Sequence, residues 1–305
     1  FFRDKLYFTN TQDRVMSVKV STTGNYVISV GYRPVYATFI CFFENHLFCG
    51  GYSTTPVGAG SYPRNRSWGV SDLDDVENFI PTDINEADTA ILPSSPITDI
   101  VSTSSANDLI LGMAEIRKQL FIFTTQETYQ TPYQGLPVPF NFTKFADYPL
   151  VEGTQTVVRS TYGVYLIGIS LIVFFDGSEY KPISLPVWNL IGQTSLDAAY
   201  VGTAVVGIAT TFSGSSNAYY DNVRREYGFL LERKLYVYQE TFNTWYTRSF
   251  DFNADTLPTT SLSLDPSGNI VVGTFNRKIL TENTSWDTAA VFDSTNGTAY
   301  TTPKI

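Results

Sequence analysis

One histidine in 305 residues removes most hydrolytic chemistry: any Ser-His-Asp or Cys-His scheme would have to run through His46. His46 itself reads as an exposed or turn residue. The cysteines number two, Cys41 and Cys49. With one histidine they fall short of the four N or S ligands of a structural zinc site. Basic charge is scarce, 20 Lys and Arg against 29 Asp and Glu, for a net charge of −9 and a pI near 4.6. Nucleic acid or an anionic membrane surface would need a basic patch. The basic pairs Arg117-Lys118, Arg224-Arg225 and Arg233-Lys234 are scattered and read as hairpin turns. Long apolar runs are missing too. The longest, residues 164–175, is well short of the ~20 a membrane helix needs, and Gly168-Ile169-Ser170 punctuates it as strand-turn-strand. No signal peptide is read at the start of these residues, and there is no glycine-rich phosphate loop, no amphipathic basic helix and almost no helical periodicity. The chain opens Phe1-Phe2-Arg3 and closes Thr302-Pro303-Lys304-Ile305, which reads as an excerpt of a longer polypeptide.

What is abundant is aromatic: 22 Phe, 20 Tyr and 4 Trp, with only 16% of residues charged. Aromatic, Thr, Val and Ile enrichment favours strands. Strand segments follow one another at 35–43 and 47–52; at 97–103, 108–113, 119–124 and 128–133; at 156–160, 163–167, 171–175 and 180–183. They continue at 200–211, 225–232, 234–239 and 246–250, then 260–264, 269–275 and 277–281. Four short strands recurring every 40–50 residues or so is the arithmetic of a β-propeller blade. Leu109-Ile-Leu-Gly112 before Leu120-Phe-Ile-Phe123 parallels Val164-Tyr-Leu-Ile-Gly168 before Ile172-Val-Phe-Phe175, and Tyr227-Gly-Phe-Leu-Leu231 before Leu235-Tyr-Val-Tyr238. Such near-continuous apolar strands suit sheets buried on both faces. The expectation is an all-β fold, a single β-propeller domain over 1–305 with about six blades of mostly four antiparallel strands. They fall near 1–34, 35–90, 96–140, 150–190, 196–252 and 257–305. One or two β-sandwiches are the competing arrangement, but a sandwich predicts no repeat.

No catalytic, cofactor or metal residues are assigned. Cys41 and Cys49 flank a hairpin. A three-residue turn centred on Asn45 sets them opposite each other; a two-residue turn at Glu44-Asn45 sets them on opposite faces. Asp72, Asp74, Asp75 and Glu77 could hold calcium, but the spacing matches no known loop, and acidic turns usually cap backbone N–H groups. Asn65, Asn141, Asn283 and Asn296 open Asn-x-Ser/Thr triplets, which a Ser/Thr/Asn-rich chain also produces by chance. Residues 53–63 and 132–139 read as exposed loops. Residues 212–221 read as a projecting insertion between two strands of one blade.

Several phrases then line up in order. Lys5-Leu-Tyr-Phe-Thr-Asn10 resembles the opening strand of phage tail propellers. Phe43-Glu-Asn-His-Leu-Phe-Cys-Gly50 resembles their F-x-x-R-L-[WF]-x-x-G hairpin, with His46 in place of arginine. The run from Arg64 to Phe79 resembles R-x-R-x-W-S-D-[LI]-x-D-P-x-N-[WF], with Gly69 and Val70 intervening and Val76 where proline is usual. Pro96-Ile-Thr-Asp-Ile100 with Phe121-Ile-Phe123, Gly163-Val-Tyr-Leu-Ile-Gly168 with Phe175-Asp-Gly177, and Lys234-Leu-Tyr-Val-Tyr238 with Asn243-Thr-Trp245 continue the series. Phe292-Asp-Ser-Thr-Asn-Gly297 and Thr301-Thr-Pro303 resemble its exit. Together they cover nearly the whole chain. The family is the bacteriophage tail nozzle or tail hub β-propeller protein of short-tailed phages, related to packaged-DNA stabilisation proteins. The resemblance implies a structural virion protein, not an enzyme, assembled in the host cytoplasm as a homo-hexamer. It would sit below the portal and adaptor rings, form part of the DNA ejection conduit without gripping the genome, and support tail fibres. No membrane insertion and no cofactor are implied. A glycan- or receptor-binding propeller, with Trp68, Tyr219 or Tyr220 as stacking platforms, is the alternative; a propeller glycoside hydrolase is a third.

Overall fold

Side chains along these strands point alternately to opposite faces, so a strand apolar at every position must be covered twice. The computed structural model describes residues 5–9, 15–20, 26–30, 36–51, 67–71, 98–99, 108–134, 140–150, 156–169, 171–187, 218–231, 234–249, 259–265, 267–274, 279–281, 290–292 and 298–300. All regular elements among them are strands. The chain divides into two compact units, Phe1–Pro149 and Leu150–Ile305.

In the first unit, β1 (Lys5–Phe8), β2 (Met16–Val20) and β3 (Tyr26–Val30) form one antiparallel sheet. A second holds β4 (Phe39–Phe43), β5 (His46–Gly50), β6 (Ser67–Val70) and β7 (Thr98–Asp99). The third holds β8 (Ile110–Ile116), β9 (Gln119–Thr124), β10 (Glu127–Thr131) and β11 (Thr143–Asp147). Every sheet is a meander of sequence neighbours. Phe43, Phe48, Trp68 and Val70 of the second sheet pack against Ile110, Leu120, Ile122 and Tyr129 of the third. Its other face, through Leu47 and Cys49, meets Tyr7 of the first sheet and Val15, immediately before β2.

In the second unit, β12 (Val157–Arg159), β13 (Val164–Ile167), β14 (Ile172–Phe175) and β15 (Tyr180–Pro182) make the fourth sheet. The fifth contains β16 (Ala218–Asp221), β17 (Glu226–Leu231), β18 (Lys234–Gln239) and β19 (Thr244–Ser249). The sixth contains β20 (Thr259–Leu264), β21 (Ile270–Thr274) and β22 (Ile279–Thr281); β23 (Ala290–Phe292) pairs with β24 (Thr298–Tyr300) after it. The fifth sheet shows two-sided burial plainly. Tyr227, Phe229, Tyr236 and Tyr238 face Tyr165 and Ile167 of the fourth sheet. Leu230, Leu235 and Val237 face Leu262, Ile270 and Val272 of the sixth. Repeated meander sheets stacked face on face put this all-β fold in the β-propeller class, with about six blades.

Four expectations are corrected. Of the strand expected at 97–103, the described Thr98–Asp99 does not begin the third blade: Trp68 pairs with Thr98 and Ser67 with Asp99, so it closes the second sheet, which runs past residue 90. The third sheet takes its outer strand instead from Thr143–Asp147, beyond the expected limit of 140. Residues 212–221 are not wholly an insertion, because Ala218–Asp221 is the first strand of the fifth sheet, paired along Glu226–Phe229. The expected strand at 200–211 lies outside the described residues. His46 is not a turn residue: Phe43 pairs with His46 across a two-residue turn at Glu44 (φ 46°) and Asn45 (φ 60°), and the ring is 2% exposed.

That turn also decides the cysteines. Cys41 lies opposite Phe48 and Cys49 opposite Ile40, so the two thiols point to different faces, are buried and form no disulfide. Burial pushes the Cys49 thiol well above its ordinary range. Arg117 and Lys118 occupy the equivalent two-residue turn between β8 and β9, and Arg224-Arg225 the loop between β16 and β17, as their charge suggested.

Candidate functional site

A titratable cluster lies where the fourth and fifth sheets meet, at the end carrying the β12–β13 and β16–β17 turns. Tyr165 projects from β13 and stacks on Tyr227 of β17, centroids 4.4 Å apart and planes within 10°. Tyr220 also stacks on the Tyr165 ring, at 5.6 Å. The Tyr165 hydroxyl donates to Oε1 of Glu240, the residue after β18. The other carboxylate oxygen accepts Arg225 Nε at 3.1 Å. The Arg225 guanidinium in turn lies 5.6 Å from the centre of the Tyr162 ring. Thr161 Oγ1 donates to Asn222 Oδ1 at 2.9 Å, and Trp245 Nε1 to the Ile183 carbonyl at 2.7 Å.

The electrostatics favour proton retention. Burial, then the hydrogen bond to Glu240 and its charge, raises the Tyr165 phenol far above its usual range. Tyr220 is pushed up to about 12 by burial and then by the Glu240 charge. Burial raises Tyr227 strongly, and burial with the Glu240 charge raises Tyr238. Near neutrality these phenols keep their protons. Tyr165 donates to Glu240 and Tyr238 to Asn243, whereas the buried Tyr220 and Tyr227 hydroxyls have no hydrogen-bond partner among the described residues; the cluster braces the two sheets.

Other carboxylates are occupied by their own hairpins and turns. Asp108 accepts Thr124 Oγ1 at 2.7 Å, Thr125 Oγ1 at 2.6 Å and the Gln126 N–H at 3.2 Å. Glu127, fully buried, accepts Lys144 Nζ at 2.6 Å and the Tyr129 hydroxyl. Asp176 accepts Ser178 Oγ, the Ser178 and Glu179 N–H groups and Lys181 Nζ. These, the Ser178 hydroxyl foremost, hold its pKa well below the usual carboxylate range. Asp221 and Asp265 accept N–H groups two to four residues on. This is the turn-capping role expected of acidic turns. The cluster at 72–77 lies outside the described residues, as do Asn65, Asn283 and Asn296. Asn141 is exposed.

The single histidine is structural in its contacts. His46 Nδ1 lies 2.7 Å from the Ser71 carbonyl, which can only accept, so Nδ1 carries the proton. Phe140 packs edge-on against the ring at 5.1 Å. The candidate stacking platforms fare unevenly. Trp68 (4% exposed) and Tyr219 (6%) are buried, so neither can offer a face to a sugar, and Tyr220 is covered on one side by Tyr165. The exposed aromatic rings of this region are Tyr162 and Phe242, at 63% and 72%. Sequence reasoning missed both; a lone aromatic between turn residues was the available signal.

No protein-family model matches the chain, and no curated protein matches it in sequence. Solved structures do. The extracellular domain of a one-component system from B. thetaiotaomicron is 11% identical with a TM-score of 0.52; the match covers 96% of this chain and 34% of that one. This chain thus spans about a third of that relative's length. The WD40 β-propeller domain of Doa1 is 8% identical with a TM-score of 0.43, covering 92% and 76% of the two chains. A 6-phosphogluconolactonase from Bacteroides uniformis is 9% identical with a TM-score of 0.47, covering 96% and 81%. At such identities a likeness speaks to fold alone.

Proposed function

We propose that this chain is a structural β-propeller of a phage tail, the nozzle or hub, with no catalytic role of its own. The observation that carries the reading is the order of the tail-propeller phrases and where they fall. The phrase from Phe43 to Gly50 spans the β4–β5 hairpin, and Ser67-Trp68 lies in β6. Gly163 to Gly168 frames β13, Phe175-Asp-Gly177 is the exit of β14, and Lys234 to Tyr238 is β18. These phrases fall on blade strands and hairpins, where a family signature of blade construction belongs; residues 72–79, 293–297 and 301–303 of the series lie outside the described residues. The carboxylate chemistry agrees: the braced acids above already hold two or more donors, which suits a wall better than a hydrolase.

Immunogold labelling tests it. Antibody raised against residues 1–305 should label purified particles at the tail, below the capsid vertex. Particles that carry no label and no peptide of this chain by mass spectrometry would sink the reading. Measurable turnover of oligosaccharides by the pure protein would replace it with the hydrolase.

A further inference from the structure

Among the described residues, six large apolar side chains are exposed, and three of them stand on adjacent turns of the second unit. Tyr162 is in the β12–β13 turn, Val223 (93% exposed) in the β16–β17 turn and Phe242 in the β18–β19 turn. Turns that only join strands gain nothing from such residues, because each leaves apolar surface in water. Together they expose on the order of 400 Å² of side chain, the size at which an apolar patch is commonly functional.

These turns are held to one another. Gln239 Nε2 donates to the Arg224 carbonyl at 2.7 Å, the Thr241 N–H to Gln239 Oε1 at 2.6 Å, and the Glu240 N–H to the Arg225 carbonyl at 3.0 Å. Asp221 Oδ1 accepts the Val223 and Arg224 N–H groups at 2.8 and 3.0 Å. Thr161 binds Asn222, and Tyr238 donates to Asn243 Oδ1 at 2.9 Å. The apolar tips therefore stand on a preorganised base, which lowers the ordering cost of association.

Charge identifies the occupant. Arg224 sits among the tips with its side chain 42% exposed, and its ion-pair contact, Asp221 Oδ2, is distant at 3.8 Å. A guanidinium carries five donors in a fork that fits a carboxylate. Tyr, Phe and Arg together are the composition of a protein–protein hot spot. Side chains standing this proud suit a groove in a partner better than they suit a sugar, which needs a concave site. We infer that the turn row of Tyr162, Val223, Arg224 and Phe242 docks a different protein chain, through a segment that sets an Asp or Glu beside apolar residues.

The inference goes beyond the virion reading and does not require it. The test replaces Phe242 with p-benzoylphenylalanine in the full chain, made in its native cell. Irradiation should yield an adduct with one other polypeptide, whose attached peptide carries Asp or Glu next to the crosslinked residue. Arg224→Glu should cut the yield about tenfold, with Arg224→Gln intermediate and both variants unchanged in urea midpoint. The same probe at Leu185, 66% exposed and in another segment, should not give that adduct. No adduct at 242, an adduct to a second copy of this chain, or a yield indifferent to Arg224→Glu would overturn the inference. A partner absent from purified particles would leave the docking intact and count against the virion reading.

Discussion

Adding one methyl group to Gly228 should destabilise the second unit by ~2–3 kcal/mol. Gly228 pairs with Tyr219 across β16 and β17, and the Tyr219 ring lies over the space its partner leaves empty. A Cβ at 228 would stand 2.3 Å from Tyr219 Cε1, 2.6 Å from Cζ and 2.8 Å from Oη. No side chain tolerates that approach, so the ring must leave. The ring is 6% exposed and packs with Leu230, Leu235, Leu262 and Val272. Full expulsion of an aromatic burying ~200 Å² would cost about 5 kcal/mol. Partial displacement recovers some of this, and replacing a strand glycine returns ~0.5–1 kcal/mol. Equilibrium urea unfolding of Gly228→Ala measures the net loss, at an unchanged slope. The decisive comparison is the double variant. Tyr219→Ala alone should lose ~3 kcal/mol, and in that background Gly228→Ala should become neutral or slightly stabilising. A Gly228→Ala variant within ~0.5 kcal/mol of the parent, or an equal loss in both backgrounds, would refute the reasoning.

Thr124→Val keeps the shape but strips Asp108 of a donor and the Glu127 N–H of its acceptor, so a loss of ~1–3 kcal/mol is expected in the same assay. Lys118→Gly relieves a left-handed residue (φ 62°) in the β8–β9 turn and should raise stability by ~1 kcal/mol. Tyr165, Tyr220, Tyr227 and Tyr238 all have raised folded-state pKa values, so their contribution is complete below the unfolded value near 10 and is lost as pH rises above it. Absorbance titration should show a tyrosine class that ionises only with loss of near-ultraviolet circular dichroism. Reversible titration of every tyrosine near 10 in folded protein would contradict this. Duplex DNA at low salt, where attraction is strongest, should show no gel retardation; sub-micromolar, salt-sensitive binding would overturn the picture of a passive conduit wall.

The fourth sheet was legible nearly to the residue because its punctuation is unambiguous: Gly168 at one turn, Asp176-Gly177 at the next, apolar strands between. The strand at Thr143–Asp147 was not. It is an outer strand, its residues mostly face water, and Phe145 alone gives no period. Ala218–Asp221 was absorbed into the polar run before it, although Tyr-Tyr-Asp ahead of a turn is strand-like. His46 shows how much hangs on register. The sequence allowed a two- or a three-residue turn, and one residue of difference sets whether the imidazole is at the tip or in the sheet. The Tyr165–Glu240 bond joins residues 75 apart, and no local pattern announces it.

Tyrosine is what lets these blades be apolar in the middle and polar at the rim. An inner strand buried on both faces holds a polar group only where a partner meets it, as Lys144 and Tyr129 meet Glu127, yet its end must reach solvent and a neighbouring turn. Tyr165 satisfies both demands at once: its ring stacks on Tyr227, and its hydroxyl reaches Glu240. Glu240 then holds Arg225, and Arg225 covers Tyr162. Core packing and rim geometry are therefore one chain of contacts, and loss of Glu240 would be felt at both ends. Val223 and Arg224 hang on that framework by their backbones, and their side chains, like that of Phe242, stand outside the chain of contacts. Val223, Arg224 and Phe242 can therefore change without disturbing the core, whereas Tyr162 belongs both to the docking row and to the chain of contacts.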